Sequence, residues 1–151
     1  MKHIVTMAGN LLSYAFEKFN SQKILHPFLT SFDHDNKKRV ESFQDISYEI
    51  SIPRAIRSFE NNSHNAKAAI VIYPAEIEEN GERKPLIVLM LKDYTTNNYL
   101  TIGQHYEIRQ GYYIPTLYEL LDYSYSLAND LHDLEKAFCL GAENFNTSFV
   151  F

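Results

Sequence analysis

Residues 68–92 read AAIVIYPAEIEENGERKPLIVLMLK, two apolar runs joined by Glu79-Asn80-Gly81-Glu82. Asn-Gly between such runs is the strongest short hairpin signal, because a tight type I′ turn needs two residues that accept a left-handed backbone. Leu86 to Leu91 is unbroken, which predicts a strand covered on both faces; one wet face would have shown as alternation. A second polar turn, Asp93 to Asn98, leads into Tyr99-Leu100-Thr101-Ile102, so three strands form a meander.

Upstream, Ile4, Ala8, Leu11, Leu12, Ala15, Phe16 and Phe19 recur at helical spacing and predict an amphipathic first helix. Leu25, Phe28, Leu29 and Phe32 precede the polar cluster Asp33 to Lys38, after which Val40 and Phe43 restore apolar content. That pattern predicts a two-stranded hairpin, with Pro27 restricting its first strand to a start or an edge. Tyr48, Ile52, Ala55, Ile56 and Phe59 return to helical spacing. Proline fits a first turn and not a helix interior, so Pro53 predicts that this helix begins near Ser51, with residues 47–50 an irregular entry.

Downstream, Thr116 and Glu119 stand at capping-box spacing just after Pro115, and positions 117, 120, 124, 127, 131, 134 and 138 follow at intervals of three and four. They predict a last helix from Thr116, closed by Gly141. Phe145, Thr147, Phe149 and Phe151 then alternate with Asn146, Ser148 and Val150, which makes residues 142–151 a terminal strand or a docking tail.

The sum is an α+β fold, a largely antiparallel five-stranded sheet packed against helices in the order α-β-β-α-β-β-β-α. With 151 residues, 45% apolar and 22% charged, five Gly and five Pro, the chain is read as one domain over 1–151. In element order alone it resembles the roadblock and profilin-like folds, and less closely the small acidic chaperones of type III secretion; such a likeness carries no chemistry.

The net charge of −5 is concentrated. From Thr116 onward Glu119, Asp122, Asp130, Asp133, Glu135 and Glu143 face only Lys136, so the first 115 residues are neutral. The nearest basic cluster is Lys37-Lys38-Arg39, too small to track phosphates, so nucleic acid is not an expected partner. No apolar run approaches the length of a bilayer span, and the start has no secretory pattern, so a membrane is not expected either. Cys139 is the only cysteine, which rules out an intrachain disulfide and favours a cytoplasmic location.

Candidate chemistry is sparse. Asp33-His34-Asp35 opens like a calcium loop, but Lys38 stands where a Gly is required and Gln44 where a bidentate Glu is required, so a polar hairpin turn explains the cluster better. His105 and Glu107 share one face of a strand, the minimum for general-base work, with Tyr106 between them. No nucleophile elbow, zinc-binding helix or phosphate loop accompanies them. Tyrosine is the compositional oddity, with eight of eleven between Tyr94 and Tyr125. Its apolar body and polar tip suit interfaces. The expected binding surface is therefore Tyr112, Tyr113, Tyr118, Asp122, Phe149 and Phe151.

These readings lead to a small cytoplasmic interaction protein of adaptor, chaperone or immunity type, homodimeric, binding another protein and needing no cofactor or metal. The alternative is a small-ligand binder or hydrolase using His105, Glu107 and Tyr106 beside the 111–113 loop.

Overall fold

The computed structural model describes the backbone of residues 1–149 and the side chains of residues 1–143. Helix α1 spans Lys2–Gln22, strands β1 and β2 span Phe28–Phe32 and Lys38–Ser42, and α2 spans Tyr48–Glu60. Four strands of twelve residues follow, β3 (Ala68–Glu79), β4 (Glu82–Asp93), β5 (Asn98–Arg109) and β6 (Tyr112–Tyr123). A short 3-10 turn at Tyr125–Leu127 leads to α3, Leu131–Phe149. All six strands make one antiparallel sheet in the order β2-β1-β3-β4-β5-β6.

Alternation along each strand sorts the core into two layers. Phe28 and Phe32, Ile70 and Ile72, Ile87, Leu89 and Leu91, and Leu100 and Ile102 pack with α1 and with Leu134, Ala137 and Phe138 of α3. On the opposite face Leu29, Ala69 and Val71 pack with Phe43 and with Ala55 and Phe59 of α2. Strand β4 lies inside both layers, and Leu86, Ile87, Leu89 and Leu91 are fully buried, as its unbroken apolar run requires.

Three expectations are corrected. The sheet has six strands instead of five, because residues 112–123, read as the start of the last helix, form β6. The deciding feature is the Gln110-Gly111 turn, whose φ values of 52° and 84° repeat those of Asn80-Gly81 at 54° and 78° and fold β6 back along β5. Helix α2 starts at Tyr48 and carries Pro53 inside it. The carbonyl that loses its partner to this proline belongs to Glu49, which is exposed and can be satisfied by water. Gly141 does not end α3, which runs on to Phe149 in place of a strand there. Val150 and Phe151 lie outside the described residues. The 27–43 hairpin forms as its sequence indicates, with the Asp33 carboxylate accepting the N–H groups of Asp35 and Lys37, each at 2.9 Å, to close its turn.

Candidate functional site

An open antiparallel sheet has two edges, and each exposes unpaired backbone donors and acceptors. Strand β2 is a guarded edge: five residues long, with Lys38, Arg39 and Glu41 on it. Strand β6 is more than twice as long and mostly exposed. Its register with β5 breaks twice, so that Thr116 and Leu117 together oppose His105, and Leu121 is an extra residue between the pairs Thr101–Asp122 and Ile102–Leu120. At the first break the buried Gln104 side chain replaces the missing ladder, its amide donating to the carbonyls of His105 at 2.8 Å and Leu117 at 3.1 Å. At the second, Leu121 lies over Gly103, where a Cβ would stand 3.1 Å from its methyl and 2.7 Å from that of Leu86.

The two ends of this edge are closed. The Asn20 side chain of α1 accepts from the Tyr113 N–H at 2.6 Å and donates to the Tyr113 carbonyl at 3.1 Å, standing in for a neighbouring strand. Pro115 has no N–H to offer. The Tyr123 N–H is taken by the Asp122 carboxylate at 2.9 Å. Between these points, from Leu117 to Leu121, nothing among the described residues pairs with the outer side of β6. Leu117 is 60% exposed and Leu120 and Leu121 are each 41% exposed.

Beside this window lies a cleft of about 340 Å³, bounded by Tyr118 and Leu120 of β6 and by Leu131, Leu134, Glu135 and Phe138 of α3. Tyr118 donates to the Glu135 carboxylate at 2.9 Å and lies 3.1 Å from the Cys139 sulfur, its ring edge-on to Phe138. One phenol has one proton, so with Glu135 accepting it the thiol donates to the Tyr118 oxygen. Burial, with the bonds to Cys139 and Glu135, pushes the Tyr118 phenol far above its ordinary range. It stays a neutral donor.

The residues singled out from sequence are distributed as follows. His105 bonds Glu119 of β6 at 2.9 Å, and Glu107 is paired with Arg109. Tyr106 is on the other face, packed edge-on against Phe16, Phe19 and Tyr113, and burial followed by the neighbouring Tyr113, Tyr48 and Glu76 raises its phenol to about 12. The three side chains do not converge. Tyr113 stacks on Phe19, and exposed Tyr112 lies under Lys23, whose ammonium also donates to the Gly111 carbonyl at 2.7 Å. Tyr118 lines the cleft and Asp122 is on the exposed edge, whereas the side chains of Phe149 and Phe151 lie outside those described.

One constellation escaped the sequence. Ser31 Oγ lies 2.6 Å from His64 Nδ1, and His64 Nε2 lies 2.8 Å from the Glu41 carboxylate. A serine hydrolase needs the same three groups, but with the ring reversed and the hydroxyl open to substrate. Here Ser31 is 3% exposed and the His64 ring 4%. The group is a latch that ties the 61–67 loop to β1 and β2. Ser31 and Glu41 share a face of the hairpin, but no sequence signal brings His64 to them.

Among the described residues no three His, Cys, Asp or Glu side chains are grouped to hold a metal ion, and no helix is long and apolar enough to cross a membrane. No known protein family matches the chain, and no curated protein and no solved structure is significantly similar to it.

Proposed function

We propose that this protein is a cytoplasmic protein-interaction module of the adaptor, chaperone or immunity kind, and that it meets its partner through β6 and the adjoining acidic helix α3. The observation that carries the reading is the contrast between the two sheet edges: β2 is short and charged, while the middle of β6 is a leucine-bearing stretch that nothing among the described residues pairs with. Apolar side chains left in water at an open edge are a liability that a chain with no use for them would replace with charge. Acidic groups around the same stretch, Glu119, Asp122, Asp133 and Glu135, favour a partner of opposite sign.

Photo-crosslinking in the native cell tests this. A photoreactive residue at position 117 is expected to give one dominant adduct with another protein, lost in Leu120→Lys, whereas the same residue at position 39 gives none. No adduct from position 117, or the same adducts from both, overturns the reading. The homodimer expected from the sequence belongs to the proposal too, and light scattering across a dilution series measures it.

A further inference from the structure

The window from Leu117 to Leu121 has a chemistry of its own, and this inference rests on the interaction reading above. A segment added to an open edge gains its affinity from main-chain hydrogen bonds and its specificity from alternate side chains. Residues directly across a strand pair share a face, so the side chains opposite Tyr118 and Leu120 would extend toward the cleft and its apolar walls, Leu131, Leu134 and Phe138. The side chain between them would stand on the other face, opposite Glu119, whose carboxylate is 44% exposed while it holds His105.

A second copy of β6 fits this window poorly. Antiparallel pairing about its centre sets Glu119 directly against Glu119 of the other copy, and like charges in that position destabilise a pair. Sliding the register one way to separate them runs one end into Pro115 and the Asn20 clamp, and sliding it the other way runs one end onto Tyr123, whose N–H the Asp122 carboxylate already holds. We therefore propose that the window takes, as an added strand, an extended segment of a different protein in which two apolar residues flank a lysine or arginine. The basic residue meets Glu119, and the apolar pair enters the cleft.

The acetylated and amidated peptides Ser-Thr-Val-Lys-Val-Thr-Ser and Ser-Thr-Val-Glu-Val-Thr-Ser probe this directly. Amide hydrogen exchange of the full chain, read residue by residue by NMR, is expected to slow at least about fivefold between residues 117 and 121 at saturating lysine peptide, since exchange reports local opening. Protection should fade as salt is raised. In Glu119→Lys, with its spectrum otherwise native, the preference should pass to the glutamate peptide. Equal protection by both peptides overturns the charge assignment, protection by neither overturns the added strand, and protection that grows with protein concentration alone shows a second copy in the window. Each leaves the interaction reading standing if crosslinks from position 117 persist; if those fail as well, both fall.

Discussion

Gly9 of α1 and Phe138 of α3 meet backbone to backbone: a Cβ on Gly9 would stand 2.1 Å from the Phe138 carbonyl oxygen and 2.8 Å from the Ala142 nitrogen. The contact is reciprocal, because a Cβ on Gly141 would stand 2.0 Å from the Thr6 carbonyl oxygen. The Ser13 hydroxyl adds a bond to the Ala142 carbonyl at 3.2 Å. Two helices can approach this closely only where side chains are absent. Gly9→Ala and Gly141→Ala must each force the helices apart, and overpacking of this kind costs about 1–3 kcal/mol. Urea unfolding should show both losses. The double variant should lose less than the two together, since one separation relieves both clashes.

Thr30 offers the opposite sign. Its hydroxyl is fully buried on the α1 face of β1 and has no hydrogen-bond partner among the described residues. An unsatisfied buried hydroxyl costs about 1–3 kcal/mol, and valine fills nearly the same volume without it. Thr30→Val should raise the denaturation midpoint with an unchanged m-value. A fall in stability would mean that the hydroxyl has a partner.

The β3–β4 hairpin was legible because its turn residues, Asn80 and Gly81, are the pair that type I′ geometry favours, and β4 because burial on both faces leaves no polar position. Strand β6 was not. Its inner side chains Tyr113, Tyr118, Leu120 and Tyr123 stand at intervals of five, two and three, because two bulges insert residues into the alternation. With the alternation broken, the steps of three and four from position 117 to 120 and 124 read as helical, and the Thr116–Glu119 capping pair strengthens that reading. From Leu127 to Phe138 the same stripe is helical or leads into the helix, and Leu127, Leu134 and Phe138 are buried. The candidate site was half legible for the same reason: tyrosines and acids marked the region, but an open edge cannot be recognised before the strand is.

The Ser31–His64 bond should contribute to stability and not to turnover. Ser31→Ala leaves His64 Nδ1 buried without a partner, at a cost of about 1–3 kcal/mol. Glu41 is 40% exposed, so Glu41→Gln should cost much less. A double-mutant cycle on Ser31 and His64 should return a clear coupling energy. Hydrolysis of a simple ester lost specifically in Ser31→Ala, with the fold intact, would instead make the constellation catalytic.

Alkaline pH should unfold this protein through its buried phenols. Burial raises Tyr94 and Tyr106 from an ordinary value of 10.0 to about 12, and Tyr118 moves in the same direction. A raised pKa means that the folded chain holds protons which the unfolded chain releases, so stability is complete below pH 10.0 and falls as pH rises toward about 12. Ultraviolet difference titration should therefore show Tyr94 and Tyr106 ionising late, toward about pH 12. They should ionise together with loss of the near-ultraviolet circular dichroism signal. Tyr106→Phe removes one of the linked protons and should flatten the decline above pH 10. Tyr94→Phe should do so less cleanly, because its hydroxyl also donates to the Phe59 carbonyl at the end of α2. A smooth single titration of all eleven tyrosines near the ordinary value, with the fold intact, would show that none of these phenols is held neutral by burial.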